Sequence, residues 1–113
     1  PLHTVVSRMA LLDAMTRAKM CTEERCPVRF ELNESSLSLS IKDKTTDYHE
    51  MVELQEDMAA TLTIGFDARL VLETLKAFDC ENVGVSFGGP KMPMIVEAKD
   101  SDFKTIVLPV AIN

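Results

Sequence analysis

The amino-acid sequence predicts an α+β fold in which two similar halves, about residues 1–57 and 58–113, form one domain. Its 113 residues are enough for one hydrophobic core but not for two. A hydrophobic fraction of 46% with 27% charged residues is typical of a folded protein. Both halves also carry the same order of patterns: a short strand, an amphipathic helix and further alternating strands.

In the first half, residues 2–6 predict a short strand, and Ser7 supplies a side-chain oxygen that can cap the following helix. That helix is predicted from Arg8 to about Met20. Its apolar stripe consists of Leu11, Leu12, Met15 and Ala18. Beyond Pro27, the alternation of apolar and polar residues predicts strands near residues 28–32, 37–41 and 47–55.

The second half repeats this order. Residues 62–66 alternate as a strand, Asp67 stands at an N-cap position, and an apolar stripe from Ala68 to Phe78 predicts a second helix. Further strands are predicted at residues 83–87, near 94–96 and at 106–112, with a turn at 88–90.

The two halves superimpose in sequence with an offset of sixty positions. This offset places Ser7 on Asp67, and Met15 on Leu75, so that cap matches cap and stripe matches stripe. We therefore predict a pseudo-twofold domain, β-α-β-β-β twice over, with two helices packed on one side of antiparallel sheets.

Charge and cysteine content restrict the function. With 18 acidic and 12 basic residues the net charge is −6, which disfavours tight binding to nucleic acid in an open groove. The 3 cysteines form no CxxC pair, which favours a reducing cytosol over a secreted disulfide framework. No apolar run approaches the roughly 18 to 20 residues that span a bilayer, so we expect a soluble intracellular protein.

One segment resembles a known family. Residues 64–83, IGFDARLVLETLKAFDCENV, are similar to the main motif of the third, C-terminal domain of bacterial DNA polymerase III beta subunits, the beta sliding clamps. In that motif a glycine and a phenylalanine precede a polar cap, a helix and a strand that begins with Glu-Asn-Val. Residues 93–97 and 106–110 resemble the closing strands of the same domain, and residues 11–14 and 28–30 match more weakly. The resemblance covers nearly the whole chain.

The resemblance implies a ring of two subunits, each with three such domains, that encircles duplex DNA with its helices facing inward. The chain would then be part of a non-enzymatic processivity factor without a cofactor. Its expected partners are DNA, a second copy of the full-length clamp, and the DNA polymerase III catalytic subunit, clamp loader and repair polymerases, which bind through short linear peptides. We expect a bacterial cytoplasmic location at the nucleoid. Encirclement also suits an acidic protein, because it holds DNA without strong phosphate contacts.

The same resemblance implies a peptide-binding groove between the second and third domains. The wall contributed by this chain would contain Pro93, Ile106, Leu108 and Pro109, with Lys91 and Met92 at the rim. The alternative is that these apolar strand residues belong to the core. In the groove interpretation, apolar side chains of the peptide would bury against this wall.

Two further surfaces follow from the resemblance. The ring interface would use Met20 and Cys21 at the end of the first helix, and Asp47, Glu50 and Glu53 on an acidic strand. The alternative is a solvated acidic edge that blocks unwanted strand pairing. The residues that could face DNA are Arg17, Lys19, Arg69 and Lys76, although such side chains on a helix are commonly just solvated.

Three alternatives remain beside the clamp. A free-standing module could use the clamp fold to bind proteins without encircling DNA. A small thiol enzyme could use Cys21 or Cys26, but no histidine stands at a recognisable spacing. A metal site at Cys21, Cys26 and His49 lacks any standard ligand spacing, so no metal is expected.

The Gly88-Gly89-Pro90 segment lacks the lysine and serine or threonine of a phosphate-binding loop, so we interpret it as a turn.

Overall fold

The computed structural model describes residues 2–21, 27–42, 47–98 and 101–112. Its elements in chain order are β1 (Leu2–Ser7), α1 (Arg8–Met20), β2 (Pro27–Leu32), β3 (Ser36–Lys42), β4 (Asp47–Glu53), β5 (Leu62–Asp67), α2 (Ala68–Lys76), β6 (Asn82–Phe87), β7 (Met94–Ala98) and β8 (Lys104–Val107). This order confirms the predicted β-α-β-β-β repeat. Neither α1 nor α2 is long and apolar enough to cross a membrane.

Each helix begins directly at the end of a strand because a polar side chain caps it. The Ser7 hydroxyl accepts a hydrogen bond from the backbone N–H of Ala10 at 3.2 Å. The Asp67 carboxylate accepts one from the N–H of Arg69 at 2.9 Å. Both caps keep extended backbone angles, as N-cap residues do. The two predicted caps are therefore confirmed.

The two halves exchange strands. One antiparallel sheet has the order β1-β6-β7-β8 and the other has the order β4-β3-β2-β5. Thus β1 of the first half joins three strands of the second half, with Val6 opposite Val83. In the same way β5 joins three strands of the first half, with Ile64 opposite Phe30. The exchange is symmetric under the sixty-residue repeat.

Both helices pack on the same side of the sheets and against each other, as predicted. Leu11, Ala14, Met15 and Ala18 are the buried residues of α1, whereas Leu12 is only half-buried. The buried residues of α2 are Ala68, Val71, Leu72 and Leu75. Beneath the helices the rings of Phe30 and Phe66 meet edge to face with centroids 5.0 Å apart, which ties the two halves into one core.

The carboxy-terminal strand differs from the prediction. Strand β8 spans Lys104–Val107 instead of residues 106–112. Pro109 has no N–H to donate to a ladder, and after it the N–H of Val110 donates to the carbonyl of Gly65 at 2.9 Å on the other sheet. In the first half the N–H of Gln55 donates at 2.8 Å to the carbonyl of Val5, which lies sixty residues before Gly65. The segment that ends each half therefore crosses between the two sheets.

Candidate functional site

Strands β4 and β8 have open edges. The outer edge of β1 is partly covered by the bridge between Val6 and Leu54, and that of β5 by the bridge between Gly65 and Val110. Within residues 2–21, 27–42, 47–98 and 101–112, β4 and β8 have no strand paired along their outer edges. Because unpaired strand edges can pair with another chain, these two edges are candidate interaction surfaces.

A depression of about 400 Å³ lies between α2 and β8. We call it the apolar groove; it is lined by Leu70, Glu73, Thr74, Ala77, Phe103, Thr105, Ile106, Val107 and Leu108. Val107 faces the core, whereas Ile106 and Leu108 are 60% and 62% exposed. The alternative that these two residues belong to the core is therefore wrong, because the alternation along β8 directs Ile106 outward.

A second depression of about 520 Å³ adjoins the carboxy-terminal segment. We call it the tail cleft; it is lined by Thr63, Ile64, Pro90, Lys91, Pro109, Val110, Ala111 and Ile112. The close approach of the tail requires a glycine on β5, since a Cβ at Gly65 would lie 2.2 Å from Ile112 Cγ2.

The residues predicted for the peptide groove divide between these depressions. Ile106 and Leu108 line the apolar groove, and Lys91 and Pro109 line the tail cleft. Met92 and Pro93 line neither depression, although Met92 is exposed in the turn beside them. Four of the six residues predicted for the groove thus line one or the other of two depressions, whose linings follow each other in the chain at residues 108 and 109.

Sequence reasoning missed several exposed apolar side chains at these edges. Leu70 on α2 and Phe103 before β8 are 44% and 48% exposed and line the apolar groove, with Phe103 packed on Phe78 at a ring-centroid distance of 4.8 Å. On β4, Met51 is exposed beside the buried Val52. A signal was present, because Leu70 lies outside the apolar stripe of its helix and Met51 alternates with a core residue.

At the β4 edge of the other sheet, an ion pair joins β4 to α1. The Arg17 guanidinium donates to both carboxylate oxygens of Glu50, with Nε 3.1 Å from each. The Tyr48 hydroxyl also donates to Glu50 and lies 3.4 Å from the carbonyl oxygen of Ala14. Arg17 was predicted to face DNA and Glu50 to lie in the ring interface, so the structure brings together residues from two predicted surfaces.

The ionisation of this cluster is set by its own contacts. The hydrogen bond from Arg17 is the main cause that lowers the pKa of Glu50, and the same bond raises the pKa of Arg17. Burial, followed by the hydrogen bond to Glu50, raises the pKa of Tyr48 to about 12. An ionised Arg17–Glu50 pair beside a neutral phenol is therefore the stable state near neutral pH.

The other predicted surface residues are accessible. At the carboxyl end of α1, Met20 is 80% exposed and Cys21 is exposed. Asp47 and Glu53 are exposed on β4. Lys19, Arg69 and Lys76 are exposed on the helices, but Asp13 and Glu73 are exposed on the same helices, so that surface carries mixed charge.

In the described part of the chain, no group of three or more histidine, cysteine, aspartate or glutamate residues could hold a metal ion. Cys26, which the thiol-enzyme and metal-site hypotheses involve, lies outside the described residues. The His3 ring shares a hydrogen bond of 2.8 Å with the Ser86 hydroxyl on the exposed face of its sheet.

Comparisons with known proteins point to one family. Residues 2–111 match the family model described as DNA polymerase III beta subunit, C-terminal domain. No match was found among curated proteins.

Solved structures share the fold. The beta subunit of DNA polymerase from Streptococcus pyogenes is 24% identical with a TM-score of 0.89, over 96% of this chain. The Thermotoga maritima DNA polymerase III beta subunit is 24% identical with a TM-score of 0.87, over 99% of this chain. The Caulobacter crescentus beta sliding clamp is 17% identical with a TM-score of 0.93, over 99%. The chain spans 31% of the length of each of these three.

Proposed function

Because the chain belongs to the family of C-terminal domains of DNA polymerase III beta subunits, we propose that it is a non-catalytic segment of a ring that encircles duplex DNA. The ring would tether the replicative polymerase and other partners to the template. The observation that carries this proposal is the placement of both helices on one side of the sheets, with an open strand edge at β4 and another at β8. A segment with two open edges can be continued by a neighbour at each of them.

The β4 edge is the proposed ring interface. It presents exposed Asp47 and Glu53, and Met20 and Cys21 are exposed at the nearby helix end. Exposed apolar side chains flanked by acidic ones suit a polar interface with an apolar centre. Glu50 already pairs with Arg17, so its proposed role is to hold β4 against α1.

The helical face is the proposed DNA side. Its basic residues Lys19, Arg69 and Lys76 share the surface with acidic ones, and the whole chain carries a net charge of −6. Weak, sequence-independent phosphate contacts would allow a closed ring to slide, because retention would come from topology.

The apolar groove is the proposed site for short linear peptides from the polymerase III catalytic subunit, the clamp loader and repair polymerases. Ile106 and Leu108 would form its wall, and a preceding domain of the parent protein would form the other side. Burying a leucine-sized side chain stabilises a complex by roughly 1.5–3 kcal/mol before ordering costs.

The peptide proposal is tested with Leu108→Asp in the parent protein that contains this chain. We expect its affinity for a fluorescent clamp-binding peptide to fall by about tenfold or more, measured by anisotropy. Met9→Asp is the matched control, since Met9 is 49% exposed and lines neither depression. Unchanged affinity in Leu108→Asp would remove the groove assignment.

The ring proposal is tested by retention on DNA. We expect the parent protein, once loaded, to stay on closed circular DNA and to leave when the DNA is cut. A parent protein that binds peptides but shows no such difference would be the free-standing interaction module instead.

A further inference from the structure

The apolar groove and the tail cleft share one wall. Residues 105–108 line the groove and residues 109–112 line the cleft, so the boundary falls between Leu108 and Pro109. A segment that lies extended along this wall would leave the groove and enter the cleft within one or two residues, at about 3.3 Å per residue. The two depressions can therefore hold neighbouring residues of one peptide.

The chemistry of the wall changes at this boundary. The groove exposes Leu70, Ile106 and Leu108, and its charged lining residue is Glu73. The cleft has Lys91 as its charged residue among the described lining residues, and Lys91 is exposed. In a chain with a net charge of −6, a cleft with a positive charge at its rim is a local departure from the average.

Lys91 is placed by the turn between β6 and β7. Gly89 adopts a φ of +152°, and the N–H of Met92 donates to the Gly89 carbonyl at 3.2 Å, which closes the turn around Lys91. Pro90, which precedes it, limits the backbone freedom of the turn and lines the same cleft. The backbone thus holds the lysine near the cleft, and its side chain is exposed.

We propose that Lys91 makes this site selective for linear peptides that carry an aspartate or glutamate next to the apolar residues that fill the groove. This inference rests on the proposed peptide-binding function and deepens it. The apolar residues would supply most of the affinity, and the carboxylate would pair with the ammonium group of Lys91. Because that ammonium is exposed, the pair would contribute selectivity of a few fold and would weaken as salt is added.

The experiment uses the parent protein and fluorescent peptides that share one apolar core and carry Asp, Asn or Lys at a flanking position. Each flank is tested in turn by anisotropy. At one flank we expect Asp to bind more tightly than Asn, and Asn more tightly than Lys, with about a three- to tenfold range at low salt. In Lys91→Glu the order should reverse, so that the Lys peptide binds best, and added salt should shrink both preferences.

Lys104→Glu is the matched control. Lys104 is an exposed lysine on β8 that lines neither depression. It stands across from Glu97 in the strand register, at the end of the β7–β8 hairpin that is farther from Lys91. We expect the wild-type order of affinities in this variant.

The outcomes separate the inference from the proposed function. Peptides that bind with equal affinity whatever their flanking charge, or a preference that survives in Lys91→Glu, would overturn the role of Lys91 alone. If no peptide binds the folded parent protein, the peptide-binding function fails and this inference fails with it. Circular dichroism of each variant checks that folding is intact.

Discussion

At the scale of single residues, the absorbance titration of Tyr48 tests its burial and its contact with Glu50. It is the sole tyrosine of the chain, and burial and Glu50 raise its pKa to about 12. We expect the tyrosinate absorbance of the folded protein to titrate with a midpoint well above the ordinary value of about 10, whereas in denaturant the midpoint should be ordinary. Circular dichroism at each pH reports whether the protein is still folded.

A partner substitution separates the causes of this shift. In Glu50→Gln the midpoint of Tyr48 should fall part of the way, since burial is the larger cause and is retained. If Tyr48 in the folded wild-type protein titrates near 10, its burial and its contact with Glu50 are contradicted.

The Arg17–Glu50 pair predicts a dependence of stability on acid. The pKa of Glu50 is lowered in the folded state, so its contribution is present above the unfolded pKa and is lost as pH falls through the folded pKa. Both groups are partly exposed, so screening by solvent should keep this contribution to the free energy of unfolding small. In urea unfolding, Glu50→Gln should lose less free energy of unfolding than the wild type when the pH falls from neutral to acidic. If both proteins lose the same free energy of unfolding between neutral and acidic pH, the pair makes no such contribution.

Adding a side chain at Gly65 should destabilise the fold more than adding one at Gly84, another strand glycine. A Cβ at Gly65 would approach Ile112 Cγ2 to 2.2 Å and the Val110 carbonyl oxygen to 3.0 Å. We expect Gly65→Ala to lower the free energy of unfolding by about 1–3 kcal/mol, because the tail must move off β5. In Gly84→Ala the new Cβ meets the side-chain atoms His3 Cε1 at 3.1 Å and Glu97 Cγ at 3.3 Å.

Because those side chains can move, Gly84→Ala should cost less than Gly65→Ala in the same urea titration. Equal losses would mean that the tail is not held closely against β5.

At the scale of elements, the short second helix should depend on its cap. Helix α2 has nine residues, and the Asp67 carboxylate accepts a hydrogen bond from the N–H of Arg69 in its first turn. We expect Asp67→Ala to cost about 1 kcal/mol of unfolding free energy, and Asp67→Asn to retain most of the stability. Thermal unfolding followed by circular dichroism measures both. If Asp67→Ala loses nothing, the cap does not stabilise the helix.

The end of β8 shows where an apolar pattern is insufficient. Residues 106–110 form an unbroken apolar run apart from Pro109, and a run without alternation does not say which side chain is buried. The structure buries Val107, exposes Ile106 and Leu108, and moves the chain to the other sheet after Pro109. The candidate groove exists because this run leaves the sheet early.

At the scale of the whole molecule, the exchange of strands makes each half dependent on the other. Residues 1–57 lack β5, whose Phe66 packs on Phe30, and residues 58–113 lack β1, which pairs with β6. We expect neither half to fold alone, whereas the 113-residue chain should unfold cooperatively. Circular dichroism and amide dispersion in NMR spectra provide the measurement. A folded isolated half would contradict the exchanged topology.

Local patterns in the sequence determined both helix caps and the duplicated order of helices and strands, because capping and amphipathic spacing act between residues close in the chain. The resemblance in residues 64–83 indicated the family, which the match over residues 2–111 then established. Local spacing did not indicate which strands would pair or that Arg17 would meet Glu50 on β4. It also did not indicate that Leu108 and Pro109 would line two different depressions. Only the tertiary structure decided these, since each depends on contacts between residues distant in the chain.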